Sequence, residues 1–472
     1  MRKAILSVAG LVCLAGCADI PPPSLPSGDM PAAFEQVTGE RAPLWPAQDW
    51  WTGFGDAQLS TLMAAARDNN LDIAQAAARL RQADARARQA GAPLLPSLGF
   101  NANANGFYGQ AKGTSLHETD WSAALGASYE LDFWGKNRDA LQSANAARRA
   151  SAADRAAVGL TVSASVADTY FQLLSLRERM DIARANLQAY EETLRLVQRR
   201  VDAGYAATSD LTQERVNMAA QRAVLPALAQ QELETRNALG ILLGRPPEGL
   251  MVSGGTLADM VGPVVTPGMP SELLARRPDV MAAEANLAAA HADLAAARAA
   301  FLPDITLTAN GGVAYPALAA AVDTLPGTGL AAGIGAALVQ SIFDNGKLQG
   351  RVDEAKGREE ELIAAYRAAA IAAFSDVENA LGNISHLTAQ EAALRDQLVQ
   401  AEKVLGAARR KYTAGYGDFL IVIEAERTLN SARDQFADIH RARLVALVAL
   451  YKALGGGWRR NAADRRDLDL PR

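Results

Sequence analysis

Cys17 and four histidines are the residues of this 472-residue chain whose chemistry would be easiest to recognise. Arg2-Lys3, the apolar run Ala4–Val12 and then Leu14-Ala15-Gly16-Cys17 form a secretory signal that ends like a bacterial lipobox. That pattern predicts cleavage before Cys17, then acylation of its sulfur and of the amino group set free. An ordinary signal peptide with an incidental cysteine is the alternative. Cys13 leaves with the signal, so the mature chain keeps one cysteine and can form no internal disulfide. Ala18 after the cysteine suits sorting to an outer membrane, although Asp19 follows it. His117, His291, His386 and His440 lie apart, without metal-ligand spacing; His117 is expected on an external loop and the others on helix surfaces. There is no nucleophile motif and no phosphate-binding glycine loop, so the expectation is a non-enzyme with no cofactor beyond lipid on Cys17.

The elements that follow are written twice. Leu95-Pro96 recurs as Leu302-Pro303, Gly135-Lys136 as Gly346-Lys347, and Ala203-Gly204-Tyr205 as Ala414-Gly415-Tyr416, at offsets of 207, 211 and 211. A period this long is not that of a solenoid. It predicts two similar halves, each reading helix, strand, strand, very long helix, turn, helix. The chain is 49% hydrophobic and 21% charged with a net charge of −5, and it has no basic patch for nucleic acid. It also lacks an apolar stretch near the roughly 20 residues of a membrane-spanning helix, so any crossing must use strands.

Four segments alternate with period two. Phe100, Ala102 and Ala104 oppose Asn101, Asn103 and Asn105, while Trp121, Ala123, Leu125, Ala127, Tyr129, Leu131 and Phe133 oppose Ser122, Gly126, Ser128, Glu130 and Asp132. In the second half Ile305, Leu307 and Ala309 oppose Thr306, Thr308 and Asn310; Leu330, Ala332, Ile334, Ala336, Leu338 and Ile342 oppose small residues and Ser341. Soluble hairpins with one buried face would show the same period. The export signal and the small, polar second face favour strands of a membrane barrel with a watery interior. Four strands cannot close a barrel and an open edge is not tolerated in hydrocarbon, so the chain must oligomerise. Two copies would give eight strands and three would give twelve.

The stretches after the strands favour helix. Leu173, Leu176, Met180, Ala183, Leu187, Tyr190, Leu194, Val197 and Val201 are spaced three and four apart, a coiled-coil seam. Ile384, Leu387, Glu391, Leu394, Leu398, Ala401, Leu405, Ala408 and Tyr412 repeat it, with Glu391 out of character. Some 65 residues make a rod of about 100 Å. Returning helices are expected from about Asp210 to Leu243 and from Asp418 to Leu454, the first kinked at Pro226.

At this point the residues resemble outer-membrane efflux proteins of the TolC type, specifically NodT-like lipoproteins of RND efflux systems. The resemblance rests on Trp50-Trp51-Thr52-Gly53-Phe54-Gly55-Asp56 with Leu59, on Asn70-Leu71-Asp72-Ile73, and on the turns Ala203–Asp210 and Tyr412–Tyr416 behind the lipobox. It implies a homotrimer with a twelve-stranded barrel in outer-membrane lipid and a twelve-helix periplasmic tunnel. It also implies docking of the turns Ala203, Gly204, Tyr205 and Ala414, Gly415, Tyr416 onto a periplasmic membrane-fusion adaptor, linked to an inner-membrane RND pump. Leu420 and Glu424 match the family's periplasmic constriction, a ring of apolar side chains beside a ring of carboxylates. Tyr412 and Asp210 match a pair that holds some members closed; the basic partner of that latch would fall on Gly417, which cannot serve.

The fold class read from these observations is mainly α with a β-barrel portion, in two pseudo-repeats. The boundaries are a lipoprotein signal at 1–16, a lipidated tether and N-terminal segment at 17–56, a first repeat at 57–270, a second at 271–454 and a disordered tail at 455–472. In the first repeat the strands fall at about 98–108 and 121–134 and the long helix at 137–203; in the second they fall at 304–314 and 330–342, with the helix at 346–414. The function expected is an outer-membrane exit channel that passively conducts small molecules from an efflux pump. A type I secretion duct for polypeptides and a non-conducting structural lipoprotein of the envelope are the alternatives.

Overall fold

The computed structural model describes residues 34–35, 45–111, 114–263, 270–315 and 329–458. The signal, Cys17 and the Pro-rich tether lie outside these residues. Two compact units interleave along the chain: one takes 79–152 and 282–367, the other 45–78, 153–281 and 368–458 of the described residues.

The first unit holds the sheet. Strands β1 (Ser97–Ala111), β2 (Thr114–Leu131), β3 (Asp304–Tyr315) and β4 (Gly329–Val339) pair antiparallel in the order β1-β2-β3-β4. The register carries the alternation across the sheet. Phe100 faces Leu125, Leu125 faces Gly311 and Gly311 faces Ala332, whereas Asn103 faces Ser122 and Thr308 faces Gly335. From Leu98 to Ala104 and across their partners one face is therefore apolar and the other made of amides, hydroxyls, carboxylates and small residues; beyond Gly106 the pattern lapses, Tyr108 pairing with His117 and Gln110 with Ser115. Among the described residues the apolar face has no cover: Ile334 is 93% exposed and Phe100 67%. Strand β2 begins at Thr114 rather than near Trp121, which places His117 in a strand and not in an external loop. It ends at Leu131, where Asp132 turns to cap the next helix, so Phe133 falls outside it.

Among the described residues no helix is long and apolar enough to cross a membrane. Helices α1 (Ala57–Asn69) and α2 (Leu71–Gly91) precede the sheet. The first hairpin of helices is α3 (Lys136–Asp202) and α4 (Thr208–Leu242); α5 (Pro270–Leu274) and α6 (Pro278–Ala299) lead to the second hairpin, α7 (Lys347–Thr413) and α8 (Phe419–Ala453). Both long helices start alike. Asp132 accepts from the backbone N–H groups of Asn137 and Arg138, Asp344 from those of Gly346 and Leu348, and Gly135 and Gly346 both have φ 84°. Lys136 then ties the first start to the sheet through Glu130 at 2.7 Å and Asp304 at 2.6 Å. The helix α4 continues through Pro226 as one element.

The second unit owes its core to the Trp50–Asp56 segment. Trp50 stacks on Tyr451 at 5.1 Å, Phe54 is fully buried against Phe171, and Arg67 lies over the Trp51 ring. Asp56 caps α1 by accepting from Leu59 N at 2.6 Å and also accepts from the Tyr170 hydroxyl at 3.1 Å. Asn70 caps α2 through Asp72 N and Ile73 N while donating to Leu242 O at 2.8 Å. Asp56 and Asn70 thus each cap the start of one helix and fasten it to another. Residues 455–458 pack as well: a Cβ on Gly456 would meet Leu160, and one on Gly457 the Ala47 carbonyl. The tail expected from Gly455 therefore opens with a packed glycine turn; 459–472 lie outside the described residues.

Glu391, the charged member of the second heptad seam, is 6% exposed and is met by Arg443 at 2.5 Å and Arg395 at 3.2 Å. His440 stands 3.7 Å from it, and His291 pairs with Glu359 at 2.7 Å, so these two histidines are half-buried partners of carboxylates rather than free surface groups.

Candidate functional site

The two turns that close the helical hairpins have the same backbone. At the first, Tyr205 N donates to Arg200 O at 2.7 Å and Gly204 N to Val201 O at 2.9 Å; at the second, Tyr416 N donates to Lys411 O at 3.0 Å and Gly415 N to Tyr412 O at 3.1 Å. This is the Schellman pattern, whose left-handed residue is glycine, and Gly204 and Gly415 have φ of 74° and 83°. A Cβ at either would meet nothing within 4 Å, so backbone conformation alone demands glycine there. Ala203, Tyr205, Ala414 and Tyr416 are exposed at the turns, with Tyr416 90% exposed.

Behind the turns lies an apolar core of Val197, Leu211, Leu405, Tyr412, Phe419, Val422, Ile423 and Leu429, drawn from α3, α4, α7 and α8. Leu420 and Glu424 sit one helical turn apart on the opposite, exposed face of α8. Asp418 caps that helix by accepting from Leu420 N.

Tyr412 and Asp210 are not joined by a hydrogen bond. The Tyr412 ring is buried against Phe419 at 5.1 Å, and its hydroxyl has no hydrogen-bond partner among the described residues. Burial is the main force raising that phenol, opposed by Arg200 and assisted by Asp210 and Glu214. What Tyr412 does meet is Arg200. The guanidinium lies 4.4 Å above the ring, and Nη1 donates to the Tyr412 carbonyl. A cation from the first hairpin thereby adds a second donor, beside Gly415 N, to a carbonyl at the C-terminus of α7, where the helix dipole also favours it. Gly417 could not supply such a group, and the cation comes from the other hairpin, 212 residues away in sequence.

A buried polar layer runs between the same four helices. Glu426 accepts from Arg409 at 2.8 Å and Thr193 at 3.1 Å; among the described residues Glu214 accepts only from Asn217, at 3.4 Å; Asn217 in turn accepts from Arg427. Burial first, then the neighbouring Glu426, pushes the Glu214 carboxyl up to about 7. Neither Glu214 nor Glu426 nor Arg200 was among the candidates read from sequence. The two glutamates stand on their helices' buried stripes, three residues beyond Leu211 and Ile423, and that spacing was the available signal.

The pattern of the family described as outer membrane efflux protein matches the chain twice, over 62–245 and 269–456. The chain belongs to the outer membrane efflux protein family. It is 41% identical, over 96% of its length and 97% of the relative's, to the pyoverdine export outer membrane protein OpmQ of Pseudomonas putida. It is 30% identical to the cation efflux system protein CusC of Escherichia coli O6:H1, covering 95% and 97% of the two chains. The solved outer-membrane channel OprN superposes with a TM-score of 0.83 at 28% identity, covering 93% of this chain and 99% of that one. A solved CusC, described in terms of transmembrane channel formation, gives 0.82 at 28% identity with the same coverage. The protein is thus an outer-membrane channel component of an efflux system, and the two helix turns lie in its helical part.

Proposed function

We propose that three copies of this efflux protein close a twelve-stranded barrel and pass small molecules of the pyoverdine kind through a helical tunnel gated at the turns. The sheet carries this reading. Among the described residues it has four strands, free edges at β1 and β4, an uncovered apolar face and a polar opposite face. Only closure with other copies pairs those edges in lipid. Twelve strands leave an interior wide enough for solutes, whereas eight would be filled by side chains. The cargo assignment follows the higher identity to OpmQ than to CusC. Cys17 carries the lipid anchor and needs no further cofactor. The exposed turns Ala203-Gly204-Tyr205 and Ala414-Gly415-Tyr416 are the contact for a periplasmic adaptor, which connects the tunnel to an inner-membrane pump of the RND type. Leu420 and Glu424 line the constriction, and Tyr412, held by Arg200 rather than by Asp210, keeps it shut.

The acylated protein, purified in detergent, should have the mass of three chains and conduct weakly in planar bilayers. Leu420→Ala with Glu424→Ala should raise that conductance. A monomer that neither inserts nor conducts would sink the barrel reading and leave an envelope strut. Restored pyoverdine release in a strain lacking its own exporter would support the cargo; failure with normal assembly would remove it.

A further inference from the structure

The polar layer above the turns contains more carboxylate than its hydrogen bonds use. Glu214 on α4 is fully buried with Oε1 unpartnered among the described residues, and Glu426 on α8 is 4% exposed with Oε2 unpartnered. A buried carboxylate oxygen facing no donor is costly, more so beside a second carboxylate. The groups facing them are few. From α3 come Thr193 and Tyr190, whose hydroxyl accepts from Asn430; from α7 come Arg409 and Tyr412; from α8 comes Arg427, bonded to Asn217. Arg200 is engaged with Tyr412, and Asp210 adds a further acid near that ring. Of these cations only Arg409 bonds a glutamate of the pair, and it bonds Glu426. Arg409 also acts on Glu214 through its charge, but its bond goes to Glu426, so Glu214 has no ion-pair partner of its own among the described residues.

We propose that Glu214 and Glu426 form a site for one proton, carried on Glu214, which locks the four helix ends in the closed packing and is released when they separate. This rests on reading the tip as the gate. The proton lets Glu214 sit in the core as a neutral acid while Arg409 balances Glu426. Separation of the helices wets Glu214 and returns it to the ordinary carboxylate range. The sign follows from linkage. The closed state holds the proton up to about pH 7 and the open state only up to about pH 4.5, so closure is favoured below that window and its advantage disappears across it. Opening should become about tenfold more frequent per pH unit between about pH 5 and 7, and level off above. An alkaline periplasm would loosen the gate and an acidic one would hold it.

The test is amide hydrogen exchange on the full-length acylated protein in detergent, corrected for the intrinsic pH dependence of exchange, over peptides covering 193–217 and 405–430. The wild type should lose protection in these peptides across about pH 5 to 7, while peptides of the Trp50–Phe54 core stay unchanged. Glu214→Gln, an isosteric neutral side chain, should remain protected throughout; Glu192→Gln, on the exposed face of α3, should follow the wild type. Parallel profiles for wild type and Glu214→Gln would overturn the proposal. Conductance on the same samples separates the two readings. A protein that never conducts but shows the Glu214-dependent exchange sinks the duct and keeps the proton site. One that conducts with no such dependence does the reverse.

Discussion

Replacing Arg200 with alanine should open the channel, and the size of the effect can be worked from two contacts. The guanidinium stacks on the Tyr412 ring at 4.4 Å, an interaction of about 0.5–2 kcal/mol depending on desolvation. It also donates to the Tyr412 carbonyl, a charge-assisted hydrogen bond of about 1.5–3 kcal/mol. The two share one side chain and do not add fully, so about 2–4 kcal/mol is the working figure. Set against a closed state held partly by this tie, that range raises the open fraction by roughly 30- to 1,000-fold until it saturates. Arg200→Lys keeps the charge but has no planar fork to stack and bond at once, and should fall between the two. Single-channel recording gives the open probability directly, and entry of a bulky hydrophilic antibiotic into intact cells reports it in vivo. Thermal unfolding must be recorded in parallel, because a collapsed tip would also leak. Wild-type open probability in Arg200→Ala, with normal trimer yield, would refute the latch.

Phe54→Ala removes a fully buried ring from contact with Phe171 and Trp50 and should cost about 3–5 kcal/mol, seen as lower thermal stability and trimer yield. Asp132→Ala strips the acceptor from two backbone amides at the start of α3 and should cost about 1–2 kcal/mol; an unchanged unfolding midpoint would contradict the cap. Two glycine substitutions should separate conformation from crowding. Gly415→Ala meets no neighbour and should cost only about 1–2 kcal/mol for its positive φ, whereas Gly457→Ala also runs into the Ala47 carbonyl and should impair assembly far more. Equal effects on trimer yield would count against that distinction.

Much of the fold was legible because its determinants are local. Period-two alternation put Phe100, Leu125, Leu307 and Ile334 on one face of the sheet, and three-four spacing placed Leu173–Val201 and Ile384–Tyr412 against the other helices. The turn glycines were readable because only a left-handed residue completes that hydrogen-bond pattern. What escaped depends on contacts between distant segments. Arg200 looks like any solvated arginine near a helix end until α7 is laid beside it. Glu391 looks like a flaw in its seam until Arg443 arrives from α8. Glu214 and Glu426 were hidden by the same bias, since a glutamate on a helix is read as exposed unless its stripe is followed residue by residue.

The duplication shows where those escapes had to occur. At an offset of 211 the counterpart of Gly204 is Gly415, because each turn closes on itself and needs nothing from the other. The residues that join one hairpin to the other are not duplicated. Arg200 corresponds to Lys411, Tyr412 to Val201, Glu214 to Ala425 and Glu426 to Arg215. Nor is the exposed face of α8: Leu420 and Glu424 correspond to Ser209 and Gln213 on α4. Identical copies related by a twofold would make any tie between two different positions twice, once in each direction. A tie made once, from Arg200 to Tyr412, therefore requires the copies to differ where they touch. On this argument the tip is the part of the protein in which the two halves have taken different tasks. In the gate proposed above, the first hairpin would supply the holding side chains, Arg200 and Glu214, and the second would supply Tyr412 to be held and Leu420 and Glu424 to face whatever passes.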